Sequence, residues 1–400
     1  MPSEPALSSR PIAFSSDQVS LKVHWNCSDT KIMHPDNRKI FEGLVESRQI
    51  RIQPGELFDN GPGPVPDSFD FGRVEGMMLG LAIGDALGNT SEGMLPSDRH
   101  ALRGEIRDYL PNRYAGNQAV GLPSDDTQLA FWTLEQMIAD GGFIPENVAQ
   151  RFCRERIFGI GNTVRQFLAN MKVGKPWFKS GPPSAGNGAL MRIAPMVIPH
   201  LTTGTKNLWI DTALCSMLTH NDAGSISACL TFVYILRQLM LMEKPPEPAW
   251  WTETYVRTAR NLEGQTCYHP RGGPLHDEFW GPIWKMVKDK VAEAYSRSLS
   301  VEEACSWWYS GAFLLETVPS VIYILMRHAD DFEEAIVRAV NDTKDNDTIA
   351  AIVGAAVGAL HGKEAIPKRW IQNLPGRTTD CDDGKVFDLV LKGKKKFWRT

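Results

Sequence analysis

The run Asn341-Asp342-Thr343-Lys344-Asp345-Asn346-Asp347-Thr348 passes directly into Ile349-Ala350-Ala351-Ile352-Val353-Gly354-Ala355-Ala356-Val357-Gly358-Ala359-Leu360, and this junction constrains the fold more than any other stretch. The second part is apolar at nearly every position, which predicts a helix buried all round rather than on one face. Its 12 residues are too few to cross a bilayer, leaving a core helix. Gly354, Gly358 and Gly362 recur every fourth residue and so share one side. Such a stripe lets another backbone come close, at some cost in helix propensity. The same spacing appears at Gly76, Gly80, Gly84 and Gly88, in a helical pattern from Val74 to Leu87. The two striped helices are therefore expected to cross each other, or a common neighbour, at short range.

Acids gather at the starts and ends of these helices. One carboxylate at a helix N-terminus is an ordinary cap, but Asp345 and Asp347 with the Thr348 hydroxyl exceed what capping needs. A second cluster, Ser124-Asp125-Asp126-Thr127, opens a helix that runs through Ile138 to Gly141-Gly142. Alone it reads as a well-capped helix with acids in its first turn, Ser124 being the cap. Adjacent carboxylates repel, however, and two such clusters converge only around positive charge, which a dinuclear metal site supplies. Hard oxygen ligands suit Mg2+ or Mn2+. Asp85 and Glu92 lie toward the C-terminal end of the first striped helix. That is the unfavourable end of the dipole, so if buried they are expected to need another cationic partner.

The 400 residues are 42% hydrophobic and 22% charged, ample for a core. A net charge of −4 gives no argument for nucleic-acid binding. There is no uninterrupted apolar stretch of membrane length and no basic-then-apolar leader at the N-terminus. Seven cysteines without a Cys-x-x-Cys pair argue against a disulfide framework or a zinc site, and a reducing cytoplasm is the expected setting.

Residues 1–70 differ from the rest and read as a small, non-helical extension with a Pro/Gly-rich connector at 61–66. Val19, Leu21, Val23 and Trp25 alternate with polar residues as a strand would. The stretch from Ile40 to Ile52 fits a short helix or a second strand. A strap on the body and a partner-binding arm are both open for this extension. The body is expected over 71–362 and to be all-α, since strand signals there are almost absent. Ser184-Ala185-Gly186-Asn187-Gly188 exposes backbone N–H groups in the manner of a phosphate cradle, though a plain turn reads the same way. Thr219-His220-Asn221-Asp222 opens a helix expected to reach Met242. The aromatic-rich stretch from Trp250 to Trp284 is expected to pack between helices. Residues 363–400, with 10 Lys/Arg against 5 Asp/Glu, read as a solvated basic tail.

Taken together, Gly84-Asp85-Ala86-Leu87-Gly88 with Glu92, Ser124 to Thr127, Ser184 to Gly188 with Met191-Arg192, Thr219-His220 and Asp345 to Thr348 resemble the ADP-ribosylglycohydrolase family, in order over about residues 72–362. The resemblance implies a compact, orthogonal all-α bundle holding two Mg2+ or Mn2+ ions. By that resemblance Ser124, Asp125, Asp126, Asp345, Asp347 and Thr348 would ligate the metals. Glu92, Asp125, Asp126 and Asp347 would act in catalysis, while Ser184, Gly186, Asn187 and Gly188 would hold the diphosphate with His220 nearby. Thr343 and Lys344 stand where the family commonly has two glycines, so Lys344 would alter access or add a phosphate contact. Ser124 stands where threonine is frequent.

The implied reaction is removal of ADP-ribose from a modified protein or small molecule, with protein ADP-ribosylarginine the leading acceptor. Cleavage at the ribose anomeric carbon passes through an oxocarbenium-like state. Some bacterial relatives give immunity against ADP-ribosyltransferase toxins and use an N-terminal extension to block the toxin, a role residues 1–70 would suit. The alternative is a non-catalytic immunity protein that only occludes its partner's active site.

Overall fold

The computed structural model describes residues 36–398, so the strand expected at 19–25 lies outside the described residues. Seventeen α-helices account for most of that span. Among the described residues the sheet content is one antiparallel pair, Pro111–Asn112 with Gln118–Ala119. The body is all-α, as the sequence predicts.

The two striped helices, Gly72–Gly88 and Asn346–His361, do cross each other. Gly76 faces Gly358, Gly80 faces Gly354, Gly84 faces Ala350 and Gly88 faces Asp347, so the helices run antiparallel. A Cβ on Gly76 would lie 2.5 Å from the Gly358 carbonyl oxygen, and one on Gly88 would lie 2.5 Å from the Asp347 Cα. No methyl group fits at that range, which is why glycine recurs. Almost every residue of both helices is buried. The antiparallel sense brings the C-terminal end of the first helix, with Asp85, against the N-terminal end of the second, with Asp347. The Asp125–Asp140 helix packs against both.

The extension carries a helix, Asn37–Glu46, where a non-helical segment was expected. Asp36 caps it by accepting from the Lys39 N–H, and Phe41 and Leu44 sit three apart on the face it buries. Beyond it the chain straps the body. Gln49 O accepts from Asn221 Nδ2 at 2.7 Å, Gly63 N donates to Gly204 O at 3.0 Å and Val65 N donates to Leu201 O at 2.9 Å. Ile50 and Val65 are buried with the main core. Of the two readings open for Ile40 to Ile52, the helix is the one adopted as far as Glu46, with Phe41 and Leu44 setting its buried face.

The basic segment is likewise not a solvated tail. Its Lys385–Phe397 helix buries Val386, Leu389, Val390 and Gly393, a spacing that charge counting hides. A Cβ on Gly393 would meet Leu134 Cδ1 at 3.4 Å, so this helix lies along the Asp125–Asp140 helix. Lys385 Nζ reaches Glu135 Oε1 at 2.5 Å, and Lys394 stands over the Phe71 ring. The helix expected to open at Thr219 starts later, as Ala223–Leu239, with the Asp222 carboxylate accepting from Gly224 N and Ser225 N. Trp251 and Tyr255 of the aromatic stretch are buried between helices. No described helix is long and apolar enough to cross a membrane.

Candidate metal centre and glycine loop

The helix crossing gathers the acids from three elements. Carboxylate oxygens of Asp85, Asp126 and Asp347 lie within 4.8 Å of one another, as do those of Glu92, Asp345 and Asp347. Asp347 belongs to both groups and is their hinge. Asp125 stands beside them, its Oδ1 turned to the bend around Gly159, where a Cβ on that glycine would meet it at 3.1 Å. Ser124 begins its helix without a side-chain cap bond; its hydroxyl donates instead to Asp126 Oδ2 at 3.0 Å. Thr348 is buried next to them, and its N–H donates to Asp347 Oδ1 at 2.8 Å.

Asp85 has neutral donors besides its place in the acid cluster. Although it sits near the C-terminal end of its own helix, it faces the N-terminus of the Asp125–Asp140 helix. Its carboxylate accepts from Ser124 N at 2.9 Å, Thr127 N at 3.1 Å, the Thr127 hydroxyl and Asn89 Nδ2. Neutral donors and a neighbouring helix dipole hold it, although burial still raises it above the ordinary carboxylate range. Asp85 was not among the site residues predicted from sequence. Its place in the Gly84-Asp85-Ala86-Leu87-Gly88 motif was the available signal.

The other acids have fewer such partners. Burial pushes Asp126 and Asp347 well above the usual carboxylate range, with neighbouring carboxylates adding to it. Burial and the Asp85 charge push Asp125 up to about 8. Asp345 is pushed by burial up to about 7, an effect offset in part by a hydrogen bond from Asn187. Glu92, exposed at the mouth, is raised by desolvation and by Asp85. Buried Asp126 Oδ1 and Asn346 Oδ1 have no hydrogen-bond partner. Clustered anions with unpartnered oxygens fit a divalent cation, which would reverse these shifts.

Two side chains that the sequence did not flag hold the acid-bearing loops. Arg99 is fully buried and donates to Ser91 Oγ, Ser91 O, Met94 O, Asn341 O and Thr343 O. It thereby ties the loop carrying Glu92 to the loop carrying Asp345. Burial lowers it to about 10, and it remains charged at neutral pH. Asn346 Nδ2 repeats the tie with bonds to Gly88 O, Ser91 Oγ and Val340 O. Lys344 turns outward, its Nζ over the Tyr309 ring at 3.9 Å and bonded to the Tyr309 hydroxyl. Tyr309 and Ser310 both hold left-handed backbone, φ 80° and 43°, and Ser310 O accepts from Asp345 N at 3.0 Å. Strain of that kind concentrates at functional sites.

The glycine loop abuts the acids through Asn187, whose Nδ2 donates to Asp345 Oδ2 at 2.6 Å and to Thr317 Oγ1 at 2.9 Å. Ser184 Oγ accepts from Gly186 N at 3.2 Å, which bends the loop. His220 lies beneath it and is 2% exposed. A Cβ on Gly188 would meet His220 Cε1 at 2.9 Å, and one on Gly186 would meet Nε2 at 3.4 Å. Thr219 Oγ1 accepts from Arg192 Nη2 and so offers its own hydrogen to His220 Nδ1. Burial, then the Arg192 charge, lower His220 to about 3, so a neutral ring supports the loop.

The sequence profile of the ADP-ribosylglycohydrolase family matches residues 66–394. The ADP-ribosylarginine hydrolase Tri1 of Serratia proteamaculans is 27% identical, covering 83% of this chain and 83% of its own length. The ADP-ribosyl-[dinitrogen reductase] glycohydrolase of Rhodospirillum rubrum is 24% identical, covering 76% of this chain and 90% of its own. Among solved structures, an ADP-ribosylglycohydrolase-related protein complex superposes with a TM-score of 0.61 at 25% identity, over 82% of this chain and 98% of that one. Fold and sequence likeness together define an all-α glycohydrolase enzyme. The chain belongs to the ADP-ribosylglycohydrolase family, as the five motifs implied.

Proposed function

We propose that this enzyme is a dimetal-dependent hydrolase that releases ADP-ribose from ADP-ribosylated protein, with the arginine-linked adduct as its acceptor class. The observation that carries the reading is the convergence of Asp126, Asp347, Asp345 and Glu92 at one helix crossing, with buried oxygens left unpartnered. Relatives named for ADP-ribosylarginine hydrolysis support the acceptor.

In this reading Ser124, Asp125, Asp126, Asp345, Asp347 and Thr348 hold two Mg2+ or Mn2+ ions. Bound there, divalent ions supply Lewis-acid stabilisation and lower the pKa of water. Asp85 fixes the start of the helix that carries Asp125 and Asp126. Asn187 orients Asp345, and Glu92 handles a proton at its carboxylate as water adds to the anomeric carbon and the bond to the acceptor nitrogen breaks. Ser184 and the N–H groups of Gly186 and Gly188 receive the diphosphate, with His220 supporting them from below. A cytoplasmic setting suits the six described cysteines, which are unpaired.

A partner-directed role, such as occlusion of an ADP-ribosyltransferase toxin, falls to the segment ahead of Asp36, because residues 36–65 bury their apolar side chains on the body. Such a role can coexist with hydrolysis. The test is incubation with ADP-ribosylarginine and ADP-ribosylserine peptides, with and without chelator, followed by assay of free ADP-ribose. Release from the arginine peptide that chelator abolishes and Mg2+ or Mn2+ restores is expected. Undiminished release in chelator would overturn metal dependence, and no release from either peptide would favour a purely occluding protein.

A further inference from the structure

We propose that Arg271 is a positioning residue for substrate, presenting its guanidinium to an anionic group of the ADP-ribosyl unit, its diphosphate, beside the glycine loop. The proposal rests on the ADP-ribosyl reading above and adds a residue to it.

Arg271 projects from a loop closed at its base by paired bonds between Tyr268 and Gly281, each N–H to the other's carbonyl at 2.9 Å. The neighbouring segment is tied to the glycine loop. Gly186 and Phe313 form an antiparallel bridge, Leu314 N donates to Ala185 O at 2.9 Å and Asn187 N donates to Ala312 O at 3.2 Å. Arg271 lies over Phe313, with Cζ 5.5 Å from the ring centroid. The guanidinium therefore stands against the residue that pairs with Gly186.

One edge of that guanidinium is fixed. Nη2 donates to Glu316 Oε2 at 2.8 Å and Nε to Oε1 at 3.2 Å, while the Arg271 backbone N–H donates to Oε1 at 2.6 Å. Glu316 is fully buried, whereas half of the Arg271 side chain is exposed. Nη1 has no partner among the described residues. Neutralising Glu316 needs a single cation, and a lysine would serve. The planar fork does more, holding one carboxylate bidentately and leaving a second donor edge for another anion. Asn187 of the same glycine loop donates to Asp345 Oδ2 at 2.6 Å, so the loop itself joins this guanidinium to the acid cluster. An anion held there would span from the glycine loop toward Asp345.

The bland alternative is that Arg271 only balances Glu316. Arg271→Gln alone leaves a buried carboxylate unpaired and is expected to destabilise the fold. The informative variants are therefore Arg271→Gln with Glu316→Gln, which removes both charges, and Arg271→Lys, which keeps the charge and loses the fork. ADP-ribose is titrated calorimetrically into the full chain with Mg2+ at several salt concentrations, and KM and kcat are measured on an ADP-ribosylarginine peptide. The double variant, folded by circular dichroism, is expected to bind ADP-ribose about tenfold or more weakly, as loss of a charged hydrogen bond implies. Its affinity should respond less to salt, KM should rise while kcat holds, and Arg271→Lys should fall between the two. Wild-type affinity and salt response in the folded double variant would overturn the proposal and leave the functional reading intact. A fall in kcat alone would overturn it too. Failure of the wild-type protein to bind ADP-ribose would overturn the functional reading itself, and this proposal with it.

Discussion

Asp85 accepts both the backbone N–H and the hydroxyl of Thr127, binding the end of one buried helix to the start of another. All of its bonds come from neutral donors, and they offset only in part the burial that raises it above the ordinary carboxylate range. Asp85→Asn keeps the size but presents an amide to donors that need an acceptor. Each buried donor left unpaired costs about 1–3 kcal/mol, so a loss of several degrees in Tm is expected. Affinity for Mn2+ should also fall, because the helix carrying Asp125 and Asp126 loses its fixed start. Calorimetry on the variant checks both; a Tm drop with unchanged Mn2+ affinity would confine Asp85 to a stabilising role.

Asp126 and Asp347 should behave in the opposite sense. Both are buried and driven toward the protonated form, so without an ion they oppose folding at neutral pH. Asp126→Asn with Asp347→Asn is expected to melt no lower than the wild-type protein in chelator. In saturating Mg2+ or Mn2+ the wild-type protein should gain about 3 kcal/mol at a hundred times Kd, and the variant nothing. Thermal scans of both proteins in chelator and in metal read this out. An equal metal-dependent gain in the variant would exclude these residues as ligands.

Glu263 predicts a pH effect far from the acids. Its carboxylate accepts from Ile283 N, Trp284 N and the Thr266 hydroxyl, yet burial outweighs these bonds and holds it up at about 7, above its ordinary value of 4.5. The folded state thus binds more protons than the unfolded state between pH 4.5 and 7. Stability contributed by this group falls as pH rises through that window, and the full cost, on the order of 3 kcal/mol, applies above it. In Glu263→Gln the difference in unfolding free energy from wild type should therefore change across pH 4.5–7 and stay flat above about pH 8. A difference independent of pH would mean that Glu263 titrates normally.

Truncation separates the strap from whatever precedes it. Removing residues 1–66 deletes Phe41, Leu44, Ile50 and Val65, four buried side chains worth about 1.5–3 kcal/mol each. That sum rivals the whole net stability of a typical domain, so this truncation is expected to unfold or aggregate. Removing only residues 1–35 should leave a folded, hydrolytically active protein. Size-exclusion chromatography with the ADP-ribose release assay decides. A folded 67–400 protein would contradict the strap.

Much of this was legible in the sequence because it is written at fixed spacing. The glycine period of four announced the helix crossing, and the paired acids at Asp125–Asp126 and Asp345–Asp347 announced the cluster. Arg99 was not legible. Its helix, Pro96–Arg103, is mostly exposed, and nothing local separates a solvated arginine from one that five oxygens surround after folding. The donors around Asp85 were hidden for a related reason. Its own helix offers the unfavourable dipole end, and the favourable one belongs to an element some forty residues away. The basic segment misled through composition: its lysines obscured Val386, Leu389 and Val390.

The crossing of Gly72–Gly88 with Asn346–His361 has a consequence for how this protein can change over time. Gly88 touches Asp347, so the lowest rung of the ladder is also the floor of the acid cluster. Any methyl group added along the ladder wedges the two helices apart and displaces Asp347 from Asp126. Packing and chemistry therefore share one dimension, and drift at Gly76, Gly80 or Gly84 would be registered by the site before it emptied the core. The loop of Tyr309 and Ser310 shares that tether, since Ser310 O accepts from Asp345 N at the start of the second helix.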